Sequence, residues 1–268
     1  MFKILFVFVF CFVSVAFGQE FTMMSWNISN LGKSKTVSDL ERAADIMQKA
    51  DIVCVQEVVS GYGGAQAVSK LLDRLNRGGS SWDYSLSDAT DSSGNRSERY
   101  VYFWKKSKFK IKRRFELEGI YKDFIEREPY IGSFTFEGKE FKIFNFHALP
   151  KKHNPESEIK YFKNYSRLYG NSLFFVGDFN VVEKNSVFIP IIKQGFRHVL
   201  PGQKTTLKQE CKAGNCLANG YDYIWYASDI FELVKAEALF FYEDFESLKA
   251  ARALSDHIPI MATFRFKD

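Results

Sequence analysis

Two short motifs flank apolar runs with groups that can do chemistry. Gly177-Asp178-Phe179-Asn180 follows Ser172-Leu173-Phe174-Phe175-Val176, and Ser255-Asp256-His257 precedes Ile258-Pro259-Ile260. Carboxylate and amide oxygens are hard ligands that suit Mg²⁺ or Ca²⁺, and an imidazole beside them can move protons near neutral pH. The pattern recurs along the chain. Asn27 follows Met24-Ser25-Trp26, Glu57 follows Val55-Gln56, His147 follows Phe144-Asn145-Phe146, and Asp222 lies inside Gly220-Tyr221-Asp222-Tyr223-Ile224. Any one of these alone reads most simply as a turn or a cap. Their coincidence argues otherwise. Of four histidines, His147 and His257 stand at such positions, whereas His153 and His198 lie in polar or irregular stretches. Carboxylates and imidazoles gathered at strand ends point to metal-assisted phosphodiester chemistry.

The elements that must position these groups follow from hydrophobic periodicity. Strands are expected at Phe21 to Trp26, Asp51 to Gln56, Arg99 to Trp104, Phe109 to Leu117, Tyr130 to Phe136, Phe141 to Phe146, Leu173 to Val176, Tyr221 to Tyr226, Phe231 to Ala238 and Ile258 to Phe266. The turn at Gly138 makes a hairpin of its two neighbours. A helix is expected after Ser38-Asp39-Leu40-Glu41, read as a capping box, with Val37, Leu40, Ala44 and Met47 on one face. A turn at Gly61 to Gly64 leads into a second helix, Ala65 to Asn76, with Val68, Leu71, Leu72 and Leu75 inward. Pro155 to Tyr169 reads as a third, and Val187 to Lys193 as weakly helical. Interleaved strands and helices, without repeat or linker, favour a single α/β sandwich domain.

Composition agrees with that size of domain: 268 residues, 46% apolar and 17% aromatic, are enough for one substantial core. Residues 1–18 have the form of a signal peptide: Lys3, a nearly unbroken apolar run from Ile4 to Phe17, and the small residues Ala16 and Gly18 at the reading positions of a signal peptidase. The run falls short of the roughly 20 residues that span a bilayer, so no stable membrane anchor is expected. The mature chain is then residues 19–268, secreted or periplasmic, and still net positive, which is compatible with a polyanionic substrate. Cys54 sits in an apolar strand and reads as a buried filler. Cys211 and Cys216 bracket the polar loop Lys212-Ala213-Gly214-Asn215 and read, in an exported chain, as a loop-closing disulfide.

In order, these motifs resemble the endonuclease/exonuclease/phosphatase superfamily, and within it the deoxyribonuclease I branch. The landmarks run from Ser25-Trp26-Asn27-Ile28 to Ser255-Asp256-His257-Ile258-Pro259, nearly the whole mature chain. Between them lie Val55-Gln56-Glu57-Val58, Glu98-Arg99-Tyr100, Arg127-Glu128-Pro129, His147-Ala148-Leu149-Pro150, Gly177-Asp178-Phe179-Asn180 and Tyr221-Asp222-Tyr223-Ile224. The resemblance implies a four-layer sandwich, two packed mixed β-sheets flanked by helices. It also implies a monomeric, secreted, metal-dependent endonuclease that cuts DNA to 5′-phosphate ends. Glu57 with Asn27, and Asp178 with Asp256, are expected to hold Mg²⁺, with Ca²⁺ as a further possibility. His147 and His257 flank the scissile phosphate, with Glu98 serving His147, Asp222 serving His257, and Asn180 orienting phosphate or metal. Arg127 matches a phosphate-contacting arginine.

Departures from the pattern concern substrate grip. The family carries Arg two residues after Glu57, where this chain has Val59, and a groove-contacting Tyr two residues before Glu98, where Arg96 stands. Arg96 is therefore expected to contact phosphate instead. The family's usual cysteine just after Gly-Asp-Phe-Asn is missing, so Cys211–Cys216 would stabilise that neighbourhood differently. Asn-x-Ser sequons occur at Asn27, Asn95 and Asn164, of which Asn27 is excluded by its place in the site. The alternative reading is a phosphoinositide phosphatase or sphingomyelinase-like phosphodiesterase of the same fold, for which Phe240-Phe241-Tyr242 is the one candidate membrane-facing cluster.

Overall fold

The computed structural model describes residues 18–92 and 96–267. The expected signal segment, except Gly18, and the sequon residue Asn95 lie outside the described residues. Two sheets form the frame. The first has the order β14 (Phe231–Ala238), β15 (Ile260–Phe266), β1 (Phe21–Leu31), β2 (Ile52–Val59), β4 (Glu98–Lys105) and β3 (Trp82–Leu86). The second runs β10 (Phe196–His198), β13 (Asp222–Ala227), β9 (Leu173–Asp178), β8 (Lys139–His147), β7 (Tyr130–Phe136) and β5 (Lys110–Ile111), with β6 (Glu116–Leu117) also on β7. Each sheet is mixed: β1 and β2 are parallel, as are β8 and β9, and their other neighbours are antiparallel.

Aromatic side chains glue the sheets together. Phe21 stacks on Phe141 at 5.1 Å between ring centres, and Phe174 meets Phe264 edge-on at 4.9 Å. Each fully buried ring contributes on the order of 1.5–3 kcal/mol by leaving water. Outside the first sheet, α1 (Val37–Met47), α2 (Tyr62–Arg77) and α6 (Leu248–Leu254) cover Met24, Trp26, Val53 and Val55. Outside the second, short helices α3 (Glu156–Ile159), α4 (Tyr165–Tyr169) and α5 (Ile189–Lys193) flank a layer in which Tyr165 stacks on Phe144 at 4.6 Å. This is the expected four-layer α/β sandwich. Among the described residues, no helix is long and apolar enough to cross a membrane.

Several local expectations change. The capping box on α1 is Thr36 with Asp39, two residues earlier than Ser38 with Glu41, and Val37 faces solvent. The stretch Phe109 to Leu117 is two short strands, β5 and β6. Pro155 to Tyr169 breaks into α3, a 3₁₀ turn and α4. Helix α2 starts at Tyr62, so Gly63 and Gly64 lie within it; a Cβ on Gly64 would meet the Val59 carbonyl at 2.0 Å. Strand β3, helix α6 and a hairpin of β11 (Leu207–Lys212) with β12 (Asn215–Leu217) were not anticipated. Cys211 and Cys216 form a disulfide across that hairpin, and Cys54 is free and buried.

Candidate active site

Alternation along the strands explains where the polar groups go. Side chains two apart share a face, and the faces turned between the sheets are apolar for most of their length. Phe21 and Met23 on β1, Ile52 and Cys54 on β2, Tyr102 and Tyr100 on β4, Ile143 on β8, Phe174 and Val176 on β9, and Ile224 on β13 all belong to that buried layer. Continue each series by two residues toward one end of the sandwich and the apolar layer turns polar: Ser25 and Asn27, Gln56, Glu98, Asn145 and His147, Asp178, and Asp222. All are buried. Strand register aligns them, with His147 opposite Asp178 and Asp178 opposite Asp222. Gln56 Nε2 donates to Asn145 Oδ1 at 2.6 Å, a polar seam beneath the site.

Backbone irregularities aim two further groups. The β2–β4 register slips between Val55 and Val58, and Glu57 takes a left-handed φ of 60°. A bulge re-aims a side chain that regular alternation would send to the opposite face, and this one brings Glu57 beside Asn27. Asn180, at φ 51°, turns the chain after β9. Its N–H donates to Asp178 Oδ1 at 2.9 Å, and its Nδ2 donates to the Ala148 carbonyl at 3.0 Å. Gly177, at φ 135°, leaves no room for a side chain: a Cβ would lie 1.9 Å from the Phe146 carbonyl. That close approach lets β9 set Asp178 against His147.

Two imidazole–carboxylate pairs face Asp178. His147 Nδ1 lies 2.9 and 3.0 Å from the Glu98 oxygens, and its Nε2 lies 3.5 Å from Asp178 Oδ2. His257 Nδ1 lies 2.9 Å from Asp222 Oδ2, and its Nε2 lies 3.7 Å from the same Asp178 oxygen. Each carboxylate fixes its ring through Nδ1 and leaves Nε2 toward Asp178. Asn27 ties the centre together: its Nδ2 donates to Glu57 Oε1 at 3.0 Å and to Asp178 Oδ2 at 3.2 Å. The Asn27 oxygen accepts the Ser29 N–H at 3.1 Å, so the amide serves here as a bridge between carboxylates.

The charges follow from this crowding. Burial and the neighbouring Asp222 push the Asp178 carboxyl up to about 6, with the histidines pulling the other way. For His257, burial opposes the charged ring, but Asp222 and Asp178 outweigh it and raise its pKa to about 10. His147 is likewise raised, burial being outweighed by Glu98. Burial also opposes ionisation of Glu57, yet His147 and the Asn27 hydrogen bond hold its pKa below the usual value. Asp222 Oδ1 is buried with no hydrogen-bond donor. Asp178, Asp222 and His257 present ligand atoms within 4.8 Å of one another, with Glu57 across Asn27. Clustered carboxylate oxygens, one of them without a donor, fit a hard divalent cation.

The remaining candidates divide. Arg127 is buried, not a surface charge; its Nη1 lies 3.4 Å from Glu98 Oε2 and 3.0 Å from His147 Nδ1. Arg96 forms an ion pair with Glu126 at 2.8 Å, and its carbonyl accepts from Arg127 Nε at 3.3 Å. Asp256 stands at the edge of the group, accepting from the Ser29 hydroxyl and lying 3.3 Å from Arg252 Nη2. Val59 is exposed at the rim. Neither His153 nor His198 enters the site; His198 packs on Trp225 and pairs with Glu183.

Sequence reading missed several supports. Thr205 Oγ1 donates to Asp222 Oδ2 at 2.5 Å, and Ser255 Oγ donates to the Asn27 carbonyl at 2.6 Å. The Tyr100 hydroxyl accepts the His147 N–H at 3.2 Å. Buried Glu158 accepts the N–H groups of Glu126 at 2.8 Å and Leu149 at 2.9 Å, joining the Arg127 segment to the residues after His147. Ser255 and Tyr100 sit inside motifs already singled out, whereas nothing in the local sequence marks Thr205 or Glu158.

Fold and site together define a class of phosphoester hydrolase built on two packed mixed sheets. The chain belongs to the Endonuclease/Exonuclease/phosphatase family, whose model matches residues 24–257. It is 25% identical to deoxyribonuclease-1 of Equus caballus over 264 residues, covering 89% of this chain and 90% of that protein. An Endonuclease/Exonuclease/phosphatase family protein from Bacteroides thetaiotaomicron superposes with a TM-score of 0.67 at 16% identity, covering 94% of this chain and 99% of that one. TDP2 of D. rerio, complexed with a single-strand DNA product, gives 0.65 at 16% identity over 92% and 99%. A mannosyl-6-phosphatase of Bacteroides thetaiotaomicron gives 0.66 at 19% over 92% and 100%. At such identities these structural likenesses speak for the fold alone.

Proposed function

We propose that this protein is a secreted, divalent-metal-dependent endonuclease that hydrolyses DNA phosphodiester bonds to leave 5′-phosphate ends. The observation that carries this reading is the pair of imidazoles, His147 with Glu98 and His257 with Asp222, facing Asp178 from two sides at 3.5 and 3.7 Å. Hydrolysis of a phosphodiester needs a base for the attacking water and an acid for the departing 3′ oxygen. Two oriented histidines supply one of each, and the paired carboxylates hold their tautomers. Arg127, locked against His147 and Glu98, faces the phosphoryl oxygens, and Asn180 orients the phosphate. Glu57 and Asp178, with Asn27 and Asp256 beside them, would hold Mg²⁺, or Ca²⁺ in its place, which neutralises charge on the phosphate.

Purified protein incubated with supercoiled plasmid tests the reading. Mg²⁺ with Ca²⁺ should give nicked and then linear DNA whose ends ligate without prior phosphorylation, EDTA should stop the reaction, and His147→Ala should abolish it. Intact plasmid in the presence of both metals would overturn the proposal. Release of phosphate from a phosphomonoester beside intact plasmid would assign the chain to the phosphatase branch instead. Export is tested by the mass of the mature protein, which should begin at Gln19.

A further inference from the structure

The densest charge in the molecule lies far from this site. Residues 105–114 read Lys-Lys-Ser-Lys-Phe-Lys-Ile-Lys-Arg-Arg, a basic run without an acidic residue that leaves β4 and enters β5. Its apolar members turn inward: Phe109 is buried, Ile111 half-buried, and Phe115 beyond them is buried as well. Lys106, Lys108, Lys110, Lys112, Arg113 and Arg114 are exposed. Acids neutralise part of this charge. Asp51 pairs with Lys105 and Lys108, and Glu140 with Lys112. Among the described residues Lys106, Lys110, Arg113 and Arg114 have no ion pair. Lys106, Lys108, Lys110 and Lys112 line a surface hollow of about 500 Å³ whose single acid is Glu137.

Strand direction fixes where this surface lies. β4 carries Glu98 at the catalytic end and Lys105 at the other, seven residue steps or about 23 Å away. The β7–β8 hairpin agrees, with Glu137 and Gly138 at its turn beside the hollow and His147 at its far end. The basic run therefore cannot touch the bond being cut. It presents cations without apolar groups to insert, a surface that fits a hydrated polyanion rather than a bilayer interior. Resting on the DNA-hydrolase reading above, we propose that residues 105–114 form a second nucleic-acid site, which holds the phosphate backbone of a DNA segment away from the scissile bond without reading its sequence. Such a pole keeps the enzyme on DNA-dense material between cuts.

The test uses the full mature chain in EDTA, a fluorescent 60-base-pair duplex, and a salt titration of binding. The variant Lys106→Ser/Lys110→Ser/Arg113→Ser/Arg114→Ser should lower the slope of log K against log salt by about 3 to 4 and weaken binding at least about tenfold at low salt. Its hydrolysis of a small chromogenic phosphodiester and its melting temperature should stay at the parent values. Lys110→Glu alone should weaken duplex binding about threefold, which keeps the test open should the multiple variant fold poorly. An unchanged slope overturns the proposal, and so does a loss confined to heparin or to anionic phosphatidylserine vesicles. A lowered slope in a protein that leaves plasmid intact would instead overturn the hydrolase reading and leave the binding site standing.

Discussion

Asp178 is under opposite demands from its neighbours. Burial and Asp222 press it toward its neutral form, while two imidazoles favour its charge. The carboxylates behind those rings set the balance, which makes them sensitive points for mutation. Glu98→Gln keeps the shape but removes the charge that orients and stabilises the His147 ring. We expect kcat to fall by about 10²–10⁴-fold with little change in KM, measured on plasmid or a small phosphodiester. Asp222 is the largest cause of the raised His257 pKa, which lies near 10. In metal-free protein, Asp222→Asn should therefore shift the ring titration followed by NMR toward lower pH, and an unmoved titration would refute the pairing. Glu158 touches no reacting group, yet it clasps the Arg127 segment to the end of β8. Glu158→Gln should cost about 10- to 100-fold in kcat through misplacement, while Glu158→Asp should recover part of it.

Strand ends and their irregularities decide how the elements deliver these residues. Gly177 lets β9 approach β8, and a methyl group there would overlap the Phe146 carbonyl while also straining the backbone. Gly177→Ala should destabilise the fold by about 4 kcal/mol or more, read from urea unfolding. The β11–β12 hairpin lies between Thr205 and Asp222, which are hydrogen-bonded to each other, and Arg252 of α6 donates to the Leu207 carbonyl. Its disulfide closes a short loop, so Cys211→Ser/Cys216→Ser should cost about 2 kcal/mol on the chain-entropy argument. Activity of the folded fraction should largely persist. At this scale sequence was a partial guide. Phe109, Ile111, Phe115 and Leu117 alternate as in a strand, but Arg113 stands where the next apolar residue would fall, and pairing to β7 is confined to two short strands. Pro155 to Tyr169 has helical composition, yet its aromatic side chains pack on β8 and β9 in short turns.

Across the whole molecule, charge is distributed between two ends of one sandwich. The end with the candidate active site concentrates buried carboxylates and imidazoles, and the opposite end carries the basic run over Asp51. That carboxyl is held below its usual value of 3.8: burial pushes it up, but Lys108, the Thr22 N–H and Lys105 outweigh burial. A depressed carboxylate stabilises the fold above its unfolded pKa, and the contribution is lost as pH falls through the lower folded value. Asp51→Asn should thus lower stability at neutral pH and flatten its decline below the usual carboxylate range, as measured by urea unfolding across pH. Sequence by itself determined the chemical inventory: motif order, the two histidines out of four that meet at Asp178, the mixed α/β character and the disulfide. Residue types and strand periodicity are local properties, so a linear reading recovers them. Only the tertiary structure decided who touches whom. Inter-sheet register put Glu98 on His147, a bulge turned Glu57 toward Asn27, burial made Arg127 a partner of His147, and Thr205 and Glu158 arrived from segments without any local mark. Those pairings arise from packing between strands far apart in the chain, which spacing along the sequence does not encode.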